Sequence, residues 1–368
     1  MTEIDLLKRL RDDVPAPDPL ALARARQRLF TPPPPHRRVT RARLLVAGGL
    51  ALTLAGGFLA ADVVGNQSSP LPGTVADAST VLADAAALSA TNPDAPIPAG
   101  QYREVTTLAD YLYEFGPGHK YRATTRVKYV DWTTADPTRR YVSTFYPLVS
   151  VKFATPEARA AAPRYAPYLL THPRPTTYRV NCNGVGLVGD TSGQVFKATC
   201  KPGWAYPTAA FLARQPRDPD ALLAVLRNVP LFDHTPRNQL ERAREKLTSK
   251  DQLAFGRIAT VLNSGLAPAD LRAALYQATR KIPGIQLLGD VTTLDGRPGR
   301  AIGYTGVGQR QDIIISPTTG QSIGSRLVTN EEGAALAKAN QTGRNQPGDI
   351  EQQTAVTTRL TRTAPHPN

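Results

Sequence analysis

Cysteine and histidine are scarce in this chain of 368 residues, which contains two cysteines and five histidines. Two cysteines exclude a cysteine-rich scaffold and a zinc site with four thiolate ligands. None of the histidines after residue 100 stands four residues from another histidine or a cysteine, so no such metal-binding pair can share a helix face. The sequence therefore predicts no metal site.

Hydrophobic residues are also fewer than in a typical globular protein, at 41% of the chain. Proline (33) and glycine (28) together make up about one sixth of the residues, which excludes collagen and coiled coil and predicts many turns. The net charge is +14 and comes from arginine more than from lysine. The length suffices for two or three average domains.

One long apolar run stands out from this composition, between Leu44 and Val64. Its first 18 residues contain Thr53 as their only polar member, which is the lower limit for a membrane span. Five basic residues precede the run and Asp62 lies at its outer end, so we expect the N-terminus in the cytoplasm and residues 65 onward outside. A buried core helix and a cleaved signal peptide are the alternatives, but 43 residues are too many for an ordinary signal n-region.

Three small residues lie on one face of this predicted transmembrane helix, because Thr53 is four residues from both Gly49 and Gly57. Small residues at this spacing let two helices approach closely, which predicts a homodimer through the span. The alternative is that glycine is simply common in such anchors.

Residues 1–43 form a short basic segment, with ten Lys or Arg against five Asp or Glu. Two short helices are predicted here, and so few residues cannot bury a stable core. The segment could bind a cytoplasmic partner, or its arginines could contact the anionic headgroups of the lipid bilayer. Nucleic acid is not predicted as a partner, because most of the excess charge lies outside the cell in this topology.

The remaining chain divides into a linker with one helix (65–100) and a large extracytoplasmic domain (101–368). Strand-like segments cover Tyr102–Leu108, Tyr111–Phe115, Tyr121–Trp132, Arg140–Phe145 and 177–200. Helices follow between 218 and 281, one opening at Asp218 and one capped by Ser249, and strands return from 285 to 329. We expect a polar loop over 331–348 and a terminal strand over 350–360. Strands, then helices, then strands predict an α+β fold with a curved antiparallel sheet and a helical insertion.

A disulfide between Cys182 and Cys200 is predicted within one hairpin of this domain. The midpoint between the two cysteines is Thr191, inside the turn Asp190–Gly193, so a symmetrical hairpin would place them opposite each other. Disulfides persist outside the cytoplasm, and the alternative is two free buried thiols.

Two motifs suggest enzymes, but their contexts do not fit. The glycines from Gly184 to Gly189 match the dinucleotide fingerprint, yet a strand follows them where that motif requires a helix. Ser322 lies in a Gly-x-Ser-x-Gly sequence, yet it begins a strand where the hydrolase nucleophile requires a helix after it. If the protein were a hydrolase, Ser322 would be the serine to inspect, with three candidate bases: His119, His172 and His234.

Several segments follow one another in a recognisable order: the N-terminal EIDLLKRLRDDVPAPDPLALARARQRLF, the basic flank and apolar run, and the later DPDALLAVLR, DLRAALYQATRKIPGIQLLGDVTTLDGRPGRAIGY and QDIIISPTTGQSIGSRLV. This order resembles an uncharacterised family of actinobacterial single-pass membrane proteins over nearly the whole chain. Members are often encoded beside extracytoplasmic-function sigma factors, which implies a signalling or anti-sigma-like role. The closing hairpins are similar to those of the LolA and RseB group of curved-sheet lipid-binding domains. Zinc-type anti-sigma factors carry a His-x-x-x-Cys-x-x-Cys site, which residues 1–43 lack.

The sequence thus predicts a non-enzymatic single-pass protein of the cell membrane, with no catalytic residue and no cofactor. Its outer domain would bind a ligand or partner, and residues 1–43 would contact a sigma factor or another cytoplasmic regulator. The alternative is a carrier or scaffold for lipid or cell-wall components at the outer face. That alternative predicts an apolar cavity lined by the aromatic residues of 102–146.

Overall fold

A computed structural model of the chain describes residues 75–135, 141–171, 173–180, 184–189, 195–200, 202–231, 242, 245–340 and 343–364. The chain divides into two units, Met1–Gly65 and Asn66–Asn368, and every described residue lies in the second unit.

The first half of this unit is mainly β-structure. Its elements are, in order, α1 (Val75–Thr91), β1 (Tyr102–Phe115), β2 (Tyr121–Thr133), β3 (Tyr141–Phe153), α2 (Pro156–Tyr165), β4 (Thr176–Val180), β5 (Gly184–Gly189) and β6 (Val195–Cys200). Two short 3₁₀ helices occupy Pro117–His119 and Pro167–Leu170.

The second half begins with helices and returns to strands. Its elements are α3 (Ala209–Ala213), α4 (Pro219–Asn228), α5 (Lys250–Asn263), α6 (Ala269–Arg280), β7 (Gln286–Thr292), β8 (Pro298–Thr305), β9 (Gln309–Ile315), β10 (Ser322–Thr329), α7 (Glu331–Asn340) and β11 (Ile350–Thr361).

Nine of the strands form one antiparallel sheet in the order β4-β3-β2-β1-β11-β10-β9-β8-β7, and β5 pairs with β6 in a separate hairpin. Strands β1–β4 form one meander and strands β7–β10 form another. The two meanders are joined by β11, which pairs with β1 from Tyr102↔Thr361 to Tyr111↔Gln352 and with β10 on its other side.

Side-chain hydrogen bonds fix the starts of the main helices. The Asp218 carboxylate accepts from the backbone N–H of Ala221 at 2.8 Å and begins α4. The Ser249 hydroxyl accepts from the N–H of Gln252 at 3.0 Å and begins α5. These N-caps satisfy backbone donors that have no partner within the helix. Both helix starts confirm the sequence prediction.

The main hydrophobic core lies between helices α1, α4, α5 and α6 and one face of strands β8 and β9. Phe255 of α5 and Tyr276 of α6 are fully buried there, with Ile302 and Ile313 from the sheet. The rings of Phe255 and Tyr304 stack at 5.7 Å between centroids. The sheet face that carries Ile302 and Ile313 is called the covered face below, and the other is called the open face.

A buried arginine links α1 to α6 within this core. The Arg272 guanidinium donates to the Asp94 carboxylate at 2.9 Å, to the Ala267 carbonyl at 3.0 Å and to the Ser89 hydroxyl at 3.3 Å. The Ser89 hydroxyl in turn donates to the Gly320 carbonyl, in the β9–β10 turn. This network ties the first helix to the end of the sheet.

The fold class predicted from the sequence is wrong in including a transmembrane helix. Within the described residues, the structure contains no helix with the length and apolar character that a bilayer crossing requires. The longest, α1, has 17 residues and carries Asp77 and Asp84, whereas a span needs about 20 apolar residues. The predicted span 44–64, with the homodimer face of Gly49, Thr53 and Gly57, lies outside the described residues.

Two further predictions differ from the structure in the described domain. The polar loop predicted over 331–348 contains helix α7, whose Gly333 lies so close to Gly308 that a Cβ would overlap the Gly308 carbonyl oxygen. The break predicted between Leu108 and Tyr111 does not exist, because β1 runs unbroken through Asp110, which forms an ion pair with Arg126 of β2.

Arg272→Ala should lower the free energy of unfolding by about 3 kcal/mol, because it leaves the partly buried Asp94 without its cation. Urea denaturation of the full chain measures this change. Arg280→Ala is the matched control on the same helix, since Arg280 is exposed and we expect a loss below about 1 kcal/mol. Equal losses in the two variants would contradict the role given to the Arg272 network.

Candidate functional site

Polar and charged side chains project from the open face of strands β3, β2, β1 and β11. Side chains alternate between the two faces along a strand, so the even-numbered residues of β1 all point to the open face. Cross-strand pairing arranges them in rows that run across the sheet. Glu104 lies opposite Trp132 and Arg359 in the first row, and Thr106 lies opposite Val130 and Thr357 in the second.

A pocket of about 400 Å³ lies on this face. Its floor is the second row, formed by the short side chains of Thr106, Val130 and Thr357. The longer side chains of the neighbouring rows rise on either side: Glu104, Trp132 and Arg359 in the first row and Lys128 and Tyr146 in the third. A row of short side chains between two rows of long ones explains the depression in the sheet surface.

Glu104 is the most constrained charged group of the pocket, with 7% of its surface exposed. Its carboxylate accepts two hydrogen bonds from Arg359, through Nε at 2.8 Å and Nη2 at 3.0 Å. It also accepts from Trp132 Nε1 at 3.1 Å. Bidentate charge-assisted bonds of this kind fix both partners in place. One wall of the pocket is therefore rigid and its carboxylate is already neutralised.

Lys128 forms the opposite wall. Its ammonium group lies 4.0 Å from the centroid of the Tyr146 ring, a cation–π contact. Among the described residues, no carboxylate forms an ion pair with Lys128. The Tyr146 ring therefore holds the lysine in position, and no carboxylate of the described residues pairs with it.

Two arginines of the open face are paired with carboxylates. Arg126 donates to Asp110 at 2.6 and 2.7 Å, and this hydrogen bonding raises the pKa of Arg126. Arg122 bridges Glu114 and Asp349. Lys128 therefore differs from Arg122 and Arg126, whose charges already have carboxylate partners.

The predicted hydrolase residues do not come together in the described structure. Ser322 is buried at the start of β10, and its hydroxyl donates to the Asn263 side-chain oxygen at 2.9 Å. An amide cannot act as a general base, so this contact gives Ser322 no activation. His119 lies in the connection between β1 and β2, while His172 and His234 are outside the described residues. No group of three or more potential metal ligands occurs among the residues that the structure covers.

The predicted disulfide falls partly outside the described residues, because Cys182 is not among them. The predicted hairpin is present as β5 and β6, but its register places Gly184 opposite Cys200. This differs by two residues from the symmetrical turn around Thr191 on which the direct pairing was based. The disulfide itself stays a prediction.

Among the described residues, strand alternation divides the aromatic side chains of 102–146 between the two faces of the sheet. Trp132 and Tyr146 border the charged pocket of the open face. On the covered face, Tyr129 stacks on Phe145 at 4.8 Å between centroids, in a buried cluster separate from that of the helices. The pocket on the open face is bordered by charged and hydroxyl side chains, and the apolar cavity expected of a lipid carrier stays a prediction.

Sequence reasoning did not identify Glu104, Lys128 or Arg359. The alternation along β1 and β2 could have placed Glu104 and Lys128 on a common face. Arg359 is 255 residues from Glu104 in the chain, and only the pairing of β11 with β1 brings them together.

Asp131 is a titratable group of the covered face, away from the pocket. It lies opposite Ser143 of β3 and accepts a hydrogen bond from that side chain. Burial raises its pKa to about 6 from the ordinary value of 3.8. A carboxyl group with a raised pKa binds its proton more strongly in the folded state, so folding stability falls as the pH rises from about 4 through about 6.

Asp131→Asn should remove this loss of stability, because the amide is neutral at every pH and still accepts from Ser143. We expect the variant to exceed the wild type at pH 7 by at most about 3 kcal/mol in the free energy of unfolding, and the difference to shrink towards pH 4. Denaturant titrations at a series of pH values measure it. Asp290→Asn is the control, since its exposed carboxyl should leave the profile unchanged. A wild-type profile that is flat between pH 4 and 7 would contradict the prediction.

Comparisons of this chain with protein-family models, curated proteins and solved structures found no match. The resemblance drawn from the sequence, to membrane proteins encoded near sigma factors and to lipid-binding curved sheets, is therefore still a hypothesis.

Proposed function

We propose that the α+β domain is a non-enzymatic binding domain whose ligand occupies the pocket on the open face. The observation that carries the proposal is the arrangement around Glu104. A buried carboxylate, a bidentate arginine and an indole N–H hold one another in place beside a floor of short side chains.

Rigid support favours binding at this position. The floor and both walls come from four adjacent strands, β3, β2, β1 and β11, and not from loops. Groups on neighbouring strands keep fixed spacings, so binding does not require the conformational entropy of a mobile site to be lost. The size of the pocket, about 400 Å³, also lies in the range of small-molecule sites.

The chemistry of the lining favours a polar ligand. The hydroxyls of Thr106 and Thr357 and the charged groups of Lys128 and Arg359 all border the pocket. An acyl chain in this position would remove charged side chains from water without giving them hydrogen-bond partners, which is costly. This argues against the lipid-carrier alternative for the open-face pocket.

The other parts of the functional prediction concern residues outside the described range. An extracytoplasmic location of the domain and contact of residues 1–43 with a cytoplasmic regulator stay predictions from the sequence. The proposed binding function is compatible with both predictions, because the pocket can bind its ligand wherever the domain is located.

Thr357→Trp should abolish ligand binding, because it places an indole over the floor of the pocket. Thr357 is exposed, so we expect the fold to tolerate the change. The measurement is the melting temperature of the full chain against a panel of polar small molecules: neutral sugars, sugar acids, amino acids, short peptides and nucleotides. A ligand at 100 times its Kd stabilises the protein by about 2.7 kcal/mol, which raises the melting temperature by several degrees.

Leu360→Trp is the matched control, since it places the same indole on the other face of the same strand. We expect the wild type and Leu360→Trp to be stabilised by the same compound and Thr357→Trp not to be. If no compound stabilises the wild type, or if Thr357→Trp responds as strongly, the pocket is not a binding site of this kind.

A further inference from the structure

We infer that the ligand of the open-face pocket is an organic anion and that Lys128 binds its carboxylate or phosphate group. This inference rests on the proposed function, since it names the class of ligand for the same pocket.

The charge balance of the pocket is the first argument. Among the described residues, its lining contains two cations, Lys128 and Arg359, and one carboxylate, Glu104. Arg359 donates two hydrogen bonds to Glu104, so the guanidinium and the carboxylate neutralise each other. Asp295 approaches the edge of the pocket through Thr357 but is itself paired with Arg297. The charge of Lys128 is left to be balanced by a ligand.

The position of Lys128 is the second argument. A free lysine on a protein surface is usually mobile, and its ordering opposes binding. Here the Tyr146 ring holds the ammonium group at 4.0 Å, on the border of the pocket. A cation that is already in place and still uncompensated favours an anion over a neutral ligand.

The dimensions of the pocket require a ligand larger than a bare ion. Lys128 and Arg359 are on strands separated by β1, and their rows are four residues apart along β1. With standard strand spacings their backbones are about 10 Å apart across the sheet and about 13 Å apart along it. An anion bound only by Lys128 would leave the floor and the Glu104 wall without contacts.

The floor indicates what the rest of the ligand contributes. The Thr106 hydroxyl donates to Glu104 and the Thr357 hydroxyl donates to Asp295, so both oxygens keep their acceptor lone pairs free. Ligand hydroxyl groups can donate to these oxygens. A sugar that carries an acid group has both features, a hydroxyl-rich body and one negative charge.

The two tryptophans of the chain provide a built-in probe and control. Trp132 lines the pocket and its indole N–H donates to Glu104. Trp204 is buried in the helical core against Phe211, with ring centroids 5.3 Å apart. In the full chain labelled with ¹⁵N-tryptophan, NMR therefore gives one indole N–H signal from the pocket and one from the core.

The experiment titrates glucuronate, glucose 6-phosphate, glucose and inorganic phosphate into this sample. We expect the two sugar acids to shift the Trp132 signal and to leave the Trp204 signal unmoved. Glucose and inorganic phosphate should each bind at least about tenfold more weakly, because each lacks one of the two sets of contacts. The stronger of the two acids identifies whether the bound group is a carboxylate or a phosphate.

Three variants test the residue assignment. Lys128→Gln should weaken binding of the acid at least about tenfold, and Lys128→Arg should retain most of it. Lys152→Gln, an exposed lysine of the same face outside the pocket, should leave binding unchanged. Glu104→Gln should strengthen binding, because it removes the carboxylate that the described part of the lining contains and leaves the charge of Arg359 uncompensated. The gain in Glu104→Gln cannot arise from a damaged fold.

The outcomes separate this inference from the proposed function. If glucose shifts the Trp132 signal as strongly as the acids, or if Lys128→Gln binds as the wild type does, the pocket is a binding site but the anion assignment is wrong. If no member of the broad panel binds and the Trp132 signal does not move, both are wrong. If inorganic phosphate shifts the Trp132 signal as strongly as the sugar acids do, the pocket binds simple anions, and the inference of an organic ligand is wrong.

Discussion

The central position of β1 is the constraint on which the described domain depends. Only this strand pairs with both β2 and β11, and it therefore connects the N-terminal meander to the C-terminal one. Its alternation also assigns the two faces of the sheet. Odd-numbered side chains such as Val105 belong to the covered face, where Val105 approaches Gly265 after α5, and even-numbered ones such as Glu104 belong to the open face. One strand thus provides residues to both the hydrophobic side and the polar side of the sheet.

The open face shows how a sheet of a basic protein limits repulsion between its positive charges. Arginine side chains on a flat sheet repel one another unless carboxylates lie between them. Cross-strand register places Asp110 beside Arg126 and Glu114 beside Arg122, so most charges are compensated within a row. Lys128 differs from these arginines because no carboxylate of the described residues pairs with it. It also differs from Lys152, an exposed lysine of the same face, because Lys128 borders the pocket and contacts the Tyr146 ring.

Local features of the fold could be predicted from the sequence, whereas the site could not. Helices α4 and α5 begin where Asp218 and Ser249 cap them, and a cap is encoded within four residues. Helix α7 was missed because EEGAALAKAN has little contrast between an apolar and a polar face. The predicted break between Leu108 and Tyr111 is absent, and the segment between them contains Asp110, whose ion-pair partner Arg126 lies on the next strand. The pocket forms only when three pairs of strands are aligned in the correct register. One of these pairs joins residues 255 positions apart in the chain, so no local sequence pattern encodes the pocket.

The position of β11 has a consequence for how the protein is made. During synthesis, β1 leaves the ribosome about 250 residues before β11, the strand that pairs with its second edge. Until residues 350–361 are synthesised, one edge of β1 is an unpaired edge strand, and such edges pair readily with other chains. The nascent domain therefore passes through a stage in which its middle strand is open on one side, and the long loop closure also slows folding. Charged residues such as Asp110 and Glu104 along β1 are of the kind that discourage edge-to-edge aggregation, so the side chains of the open face protect the chain before the sheet that displays them is complete.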